Sequence, residues 1–198
     1  MSDLIRALDR IMNWLEEHQP EYAASFLPGL SRQEIDKFIN PLNIVFPEEI
    51  YELYQWRNGR RLEVFHSSVM TFPSIYHFLP LHKAVEKKNI EWINSSPMDG
   101  GFLTSEYENK ILLPFLEGNK DMCAVVVSRK REKKYPVVEL LIADNPSVCC
   151  WSITSMMLVF AEAYETGAYY FDEDKFIRAD YNKILDMEEK YGIAYFID

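Results

Sequence analysis

Apolar residues recur at helical spacing in the first third of the chain. Through residues 3–19 they fall on one stripe, which predicts an amphipathic helix. Ser31, followed by Glu34 three positions later, is typical of a capping box and predicts a second helix over residues 31–40. A third helix is predicted over residues 47–56, because proline is tolerated in a first helical turn and two glutamates suit the positive end of a helix.

After Gly59 the pattern becomes extended. Alternation over residues 62–66 predicts a strand, and residues 81–93 return to helical spacing. Short polar turns separate the next apolar runs, which predicts antiparallel strands over residues 111–116, 121–129, 135–143 and 147–151. Ser152 is expected to cap a helix over residues 152–165, and a last helix is predicted over residues 173–191.

This order of elements is typical of an α+β domain. We expect a single domain with a mixed, mostly antiparallel sheet flanked by helices. Residues 1–24 would be a helical extension, residues 25–170 the main domain, and residues 171–198 a C-terminal helix and tail packed on the same domain. A chain of 198 residues that is 48% hydrophobic can bury a sizeable core, so the domain should fold alone.

Composition narrows the expected partner and location. A formal net charge of −10 disfavours nucleic acid as a partner and favours a basic protein. No apolar run approaches the roughly 20 residues that span a bilayer, and the N-terminal residues lack a secretory pattern. We therefore expect a cytoplasmic protein with no membrane partner, present as a monomer or weak homodimer.

A search for catalytic motifs returns none of the common ones. The sequence lacks Gly-x-Gly-x-x-Gly, the phosphate-binding loop, the Gly-x-Ser-x-Gly elbow and the His-Glu-x-x-His zinc helix. His77 and His82 are five positions apart and do not share a helical face. Three cysteines without Cys-x-x-Cys spacing favour neither a disulfide framework nor a zinc site. We expect no metal, no cofactor and no enzymatic activity.

Two charged clusters and one tryptophan are candidates for binding. The basic run over residues 129–134 is either a nucleic-acid patch or a solvated hairpin tip, and the negative charge of the chain favours the tip. Asp172, Glu173 and Asp174 precede the last predicted helix, where they either favour its dipole or bind a partner. Trp56 either anchors the third helix in the core or, if exposed, contacts a partner. Trp56 and Glu63 are weaker candidates for partner binding than the acidic segment.

Three short motifs follow one another in a characteristic order. They are Leu-Pro-Gly-Leu-Ser at residues 27–31, Phe-Pro-Glu-Glu at residues 46–49, and Trp-Arg-Asn-Gly at residues 56–59, where Gly59 is expected to supply a left-handed helix cap. This set resembles the SUKH superfamily, named after fungal cell-wall-synthesis regulators and including many bacterial immunity proteins. Residues 78–85 and 112–119 also resemble family segments, so that the resemblance covers roughly residues 25–165.

The resemblance implies a SUKH-like domain that binds protein and performs no catalysis. Bacterial members are commonly immunity proteins that neutralise a cognate toxin, whereas fungal members regulate signalling and cell-wall synthesis. The resemblance therefore implies first an immunity protein that binds a basic toxin domain. The alternatives are a regulatory scaffold of the fungal kind and an unrecognised hydrolase. No catalytic residue is carried over from the family, and its partner surface varies too much to be carried over by position.

Overall fold

The computed structural model describes residues 1–61, 76–88, 110–118, 121–141, 147–173 and 177–193. Within them the helices are α1 (Asp3–His18), α2 (Pro20–Ala23), α3 (Arg32–Ile39), α4 (Glu48–Trp56), α5 (Leu81–Glu86), α6 (Ile153–Glu165) and α7 (Tyr181–Lys190), and a 3₁₀ helix spans Asn40–Leu42. The strands are β1 (Phe26–Pro28), β2 (Arg57–Arg60), β3 (His77–Phe78), β4 (Lys110–Glu117), β5 (Met122–Ser128), β6 (Val137–Leu140), β7 (Ser147–Cys150), β8 (Tyr169–Phe171) and β9 (Ile177–Ala179). The strand predicted over residues 62–66 and the end of the helix predicted over residues 81–93 lie outside the described residues.

The central sheet contains five strands in the order β3-β4-β5-β6-β7, and every neighbouring pair is antiparallel. Its last four strands are those predicted from the apolar runs that short polar turns separate. Val125 of β5 lies in the middle, opposite Leu113 of β4 on one side and Val137 of β6 on the other. The predicted α+β fold with an antiparallel sheet and flanking helices is therefore confirmed.

Successive side chains of a strand point to opposite faces of the sheet, and here the side chains on both faces are buried. The main core contains Leu113, Phe115, Val125 and Val127 together with the apolar sides of α1, α4 and α6. A smaller cluster lies on the other face and contains Leu112, Ala124, Val126, Val138 and Leu140. Two-sided burial explains why β4 and β5 are almost continuously apolar rather than alternating.

Helix starts follow the predicted caps closely. Ser31 accepts a hydrogen bond from the backbone of Glu34, and the Glu34 carboxylate accepts one from the Ser31 backbone at 2.8 Å, which completes the predicted capping box. Ser152 caps α6 by accepting from the Ser155 backbone at 3.0 Å. These bonds join residues three positions apart, so a local sequence pattern is enough to predict them.

The helix predicted over residues 173–191 starts too early. Ile177–Ala179 instead form β9, which pairs antiparallel with β8, and α7 begins at Tyr181 with Asp180 as its cap. Short apolar runs do not distinguish strand from helix by periodicity alone, which explains the error. Asp172 and Glu173 therefore follow a strand in a β-hairpin, and the predicted contribution to a helix dipole does not apply.

Gly59 has the predicted left-handed backbone, with φ at +69°, but it does not cap a helix. Helix α4 ends at Trp56, the backbone of Arg57 is extended, and Gly59 lies in β2, which pairs with β1. A Cβ atom on Gly59 would lie 2.3 Å from the nitrogen of Pro80 and 2.4 Å from the carbonyl carbon of Leu79. The glycine is needed both for its backbone conformation and for a close approach between two segments.

The segments that carry the family resemblance meet at this junction. The backbone of Leu30 donates a hydrogen bond to the carbonyl of Tyr54 at 2.8 Å. Asn58 accepts a hydrogen bond from the backbone of Leu81 at 2.9 Å and so satisfies a donor in the first turn of α5. The motifs at residues 27–31, 56–59 and 78–85 are thus explained by backbone packing.

Helix α1 packs against α6 and supplies part of the core. Leu4, Leu8, Ile11 and Leu15 are buried along one stripe, as the spacing predicted. Arg10 of α1 also pairs with Glu165 of α6, with 2.7 Å between Nε and Oε1. The first helix is therefore integrated with the core. Among the described residues, no helix combines the length and the apolar character that crossing a bilayer requires.

Candidate protein-binding site

Trp56 lies in the core of the protein. Its side chain is only 8% exposed, its ring packs edge-on against Phe26, and its indole N–H donates to Oδ1 of Asp9 at 2.9 Å. The bond joins the end of α4 to α1. This placement favours the folding role over the partner-contacting role, while Glu63 lies outside the described residues.

The predicted acidic segment lies at the start of the β8–β9 connection. Asp172 accepts a hydrogen bond from Nε of Arg178 at 2.7 Å, an ion pair that spans the hairpin. Glu173 is exposed, and Asp174 lies outside the described residues. Because Asp172 is engaged by Arg178, Glu173 is the more available of the two described acids.

Aromatic stacking attaches this hairpin to the first helix. The Trp14 ring of α1 stacks with His18 at 4.2 Å between centroids, lies 4.6 Å from Tyr164 of α6 and stacks at 5.9 Å with Phe171 of β8. The acidic hairpin and Trp56 thus both lie against α1, but the hairpin contacts Trp14 whereas Trp56 contacts Asp9. The structure fixes the hairpin at the end of α1.

Exposed apolar side chains occur in β8 and α7. Tyr170 is 47% exposed, Tyr181 is 75% exposed and Leu185 is 49% exposed. Tyr181, Leu185 and the exposed Glu189 are four positions apart along one side of α7. We refer to the set of Tyr170, Glu173, Tyr181, Leu185 and Glu189 as the C-terminal face. Sequence analysis missed the two α7 side chains because it had merged the hairpin with the helix.

Several acids near this face are engaged within the protein. Glu162 of α6 accepts from Nζ of Lys190 at 2.7 Å and from the hydroxyl of Tyr191 at 2.6 Å, and these bonds lower the pKa of Glu162. Glu165 is engaged by Arg10, which lowers its pKa as well. Within the described residues, Glu173 and Glu189 have no such ion pair. The C-terminal face therefore combines aromatic surface with available negative charge.

A half-buried histidine lies beside a buried arginine in a different part of the fold. Nη1 of Arg60 lies 2.8 Å from Nδ1 of His77, and the Arg60 guanidinium also covers the ring of Tyr22 at 4.7 Å. Burial, together with the positive charge of Arg60, lowers the pKa of His77 to about 4. His77 is thus neutral in the folded protein at neutral pH.

We expect this histidine to make stability depend on pH. Its ordinary pKa of 6.5 applies to the unfolded chain, which therefore binds more protons than the folded protein between pH 6.5 and about 4. The contribution of neutral His77 to the free energy of unfolding is complete above pH 6.5 and is lost as the pH falls from 6.5 to about 4. Allowing for partial exposure, we expect a loss of about 1 kcal/mol between about pH 7 and about pH 5. Urea unfolding at both pH values, with His77→Gln as the control, measures it. An equal loss in His77→Gln would contradict the assignment.

The three cysteines are buried, free thiols in the core. Cys149 donates a hydrogen bond to the carbonyl of Val137 at 3.4 Å. The hydrogen bond that the Cys123 thiol donates to Cys149, together with burial, holds the pKa of Cys123 well above its usual range, which keeps that thiol protonated. Within the described part of the chain, no group of histidines, cysteines and carboxylates is arranged to hold a metal ion. At 1% exposed, Cys123 behaves as a small apolar residue of the core.

The sequence was compared with models of protein families and with curated proteins. The sequence model of the SMI1 / KNR4 family (SUKH-1) matches residues 29–162, whereas a search of curated proteins finds no match. The matched range contains the junction of motifs and the whole central sheet, while α1 and the β8–β9–α7 segment lie outside it. Members of this family are generally non-enzymatic. With more than half of its length matched, this chain belongs to the SMI1 / KNR4 (SUKH-1) family of the SUKH superfamily.

Proposed function

We propose that this protein is an immunity-type binding protein, which holds a cognate toxin in an inactive complex. The observation that supports this most is membership of a family of generally non-enzymatic domains, in a chain that also has an exposed acidic and aromatic face. The toxin would be a basic domain, since opposite charge favours encounter. The C-terminal face is the proposed contact surface.

Its chemistry fits a protein interface. Tyrosine is enriched among residues that contribute most to binding energy, because it covers a large area and loses little conformational freedom. Tyr170 and Tyr181 present such rings to solvent, and Glu173 and Glu189 provide negative charge for steering. The pairing of β8 with β9 and the stacking of Phe171 on Trp14 hold this surface in place before a partner arrives.

The location of this face also supports a role in specificity. The family match ends at residue 162, and the face consists of residues from β8, the β8–β9 connection and α7, which follow it. A surface outside the shared domain can vary between members without disturbing the common junction of motifs. Recognition of one toxin among many requires such a variable surface.

If a neighbouring reading frame encodes a toxin, co-expression with that toxin tests the proposal. We expect growth arrest by the toxin alone, rescue by this protein, and a stable complex of the two on size-exclusion chromatography. Rescue should be lost in a variant with Tyr170→Ala and Tyr181→Ala, while its thermal unfolding remains unchanged. A complex that leaves the toxin fully active would favour the regulatory scaffold instead.

Charge steering provides a separate prediction. Changing Glu173 and Asp174 to lysine, which leaves the Asp172–Arg178 ion pair in place, should slow association with a basic toxin about tenfold at low salt. Added salt should reduce the difference, because exposed charges are screened over about 8 Å at physiological ionic strength. Stopped-flow mixing measures the rate. The control is Glu21→Lys with Glu86→Lys, which changes net charge equally on α2 and α5. If the test variant and the control associate equally slowly, the contact surface is not assigned to the segment around Glu173.

We also expect the purified protein to hydrolyse neither nucleic acid nor nucleotides nor esters, with or without added divalent metal. The hydroxyls of Ser128 and Thr154 lie beside the carboxylates of Glu132 and Glu49, but they form hydrogen bonds of a turn and of a helix start. The neighbour of His77 is Arg60, which is not a nucleophile. Release of product from each substrate class is measured at high enzyme concentration. Turnover that a single substitution abolishes would establish a hydrolase and overturn the binding-protein proposal.

A further inference from the structure

The connection between β5 and β6 concentrates positive charge in an otherwise acidic protein. Residues 129–134 carry five basic side chains and one acid, so the rest of a chain with a formal net charge of −10 carries −14. The basic side chains are all exposed, and within the described residues none forms an ion pair. They are Arg129, Lys130, Arg131, Lys133 and Lys134. We refer to this segment as the basic hairpin.

The single acid of the basic hairpin, Glu132, is bound by two neighbouring side chains of the protein. Glu132 pairs with Lys110 of β4 and accepts a hydrogen bond from the hydroxyl of Ser128 at 2.9 Å. The same hydroxyl lies 2.6 Å from the carbonyl of Lys130 and accepts from its backbone nitrogen at 3.1 Å. Glu132 thus shapes the turn, and although it also interacts electrostatically with Lys130, its single negative charge is outnumbered by the five positive charges of the hairpin.

The acids at the start of α4, which lies close to the basic hairpin, are engaged as well. The backbone of Val45 bonds to the carbonyl of Ser128 at 2.8 Å, which joins the end of β5 to the segment before α4. Glu48 forms a two-pronged pair with Arg32 at 2.8 and 2.9 Å, and Glu49 accepts from the backbone of Thr154 at 2.9 Å. The Glu48 carboxylate also interacts electrostatically with Arg131, but its hydrogen bonds go to Arg32, so the hairpin keeps an excess of positive charge.

An exposed tryptophan borders the hairpin. Trp151 follows β7, is 39% exposed, and has Nζ of Lys134 at 5.0 Å from its ring centroid. Exposed tryptophan beside cations is a common feature of binding surfaces, because the ring supplies apolar contact area next to charge. We propose that the basic hairpin and Trp151 form a second binding surface, whose ligand is a short acidic segment of another protein.

Charge distribution favours an acidic segment over nucleic acid. The five cations lie within six consecutive residues, so the positive patch is small. The net charge of −14 on the rest of the chain would repel a long polyanion that extends beyond the patch. A short segment rich in glutamate and aspartate needs to match only the patch. Arginine binds carboxylates through paired hydrogen bonds, and an apolar side chain of the same segment would contact the Trp151 ring. This surface is distinct from the C-terminal face and attracts the opposite charge.

Fluorescence anisotropy with a labelled peptide of alternating glutamate and aspartate around one leucine tests the proposal. We expect saturable binding at low salt and a loss of about tenfold in affinity in a variant with Lys130→Glu and Lys133→Glu. Trp151→Ala should weaken binding several-fold, and Trp151→Phe should recover part of it. The control is Lys37→Glu with Arg61→Glu, which makes the same charge change at two exposed positions elsewhere. It should bind nearly as the unmodified protein does.

Unchanged thermal unfolding in each variant shows that the fold is intact, since all four charge reversals are at exposed positions. Absence of peptide binding at about 1 mM protein would overturn the proposal. Equal losses in the hairpin variant and its control would do the same, because they would indicate a general effect of net charge. Tighter binding of a single-stranded oligonucleotide of equal charge would assign the surface to nucleic acid instead. Self-association that only the hairpin variant abolishes would assign it to a second copy of this chain.

Discussion

Replacing Gly59 by valine is expected to lower the free energy of unfolding by about 4 kcal/mol. Left-handed backbone costs a residue with a side chain about 1–2 kcal/mol, and overpacking adds about 1–3 kcal/mol. Both terms apply, since φ is +69° and an added Cβ would overlap the backbone of Leu79 and Pro80. Backbone atoms cannot rotate away as a flexible side chain can, so the overlap must be relieved by separating β2 from the start of α5. Urea unfolding followed by circular dichroism measures the change.

Two other glycines separate these contributions. Gly167 has φ at +67° with no atom within 4 Å of an added Cβ, so Gly167→Ala should cost about 1 kcal/mol from backbone conformation alone. Gly29 has no left-handed strain, but an added Cβ would lie 1.7 Å from the carbonyl oxygen of Gln55, so Gly29→Ala should cost about 3 kcal/mol from overlap alone. If Gly59→Val cost no more than Gly167→Ala, the close approach would have no energetic role.

Removing the Trp56 side chain is expected to destabilise the protein to a similar degree. Trp56→Ala should cost about 4 kcal/mol, because a large buried ring is lost and the surrounding residues collapse only in part. The variant would lose the contact with Phe26 and the bond to Asp9 that ties α4 to α1. Denaturant unfolding measures this loss, and partner binding by the folded fraction should remain unchanged.

A milder substitution isolates the hydrogen bond. Trp56→Phe keeps an aromatic ring but removes the N–H donor, and should cost about 2 kcal/mol. A double-mutant cycle with Asp9→Ala should show that the two losses do not add, because each removes the same bond. A Trp56→Ala protein of ordinary stability that no longer binds its partner would instead make Trp56 an interface residue.

Several parts of this fold follow from local sequence. The caps at Ser31 and Ser152 depend on bonds between residues three positions apart, so the residue types alone predict them. The strands β4 to β7 were predictable because their apolar runs are separated by short polar turns. The stripe on α1 was equally visible, since one helical face with apolar residues requires a partner surface. Each of these features is encoded within one segment.

The sequence by itself thus determined the caps, the central strands and the family resemblance. Only the tertiary structure decided that Gly59 lies against Leu79 and Pro80, that Trp56 is buried against Asp9, and that Asp172 belongs to a hairpin. The same holds for Glu132, which forms an ion pair with Lys110 of a neighbouring strand. These outcomes depend on contacts between residues distant in the chain or on strand pairing. Whether a side chain is buried, paired or exposed is settled by what packs against it, which a one-dimensional pattern does not contain.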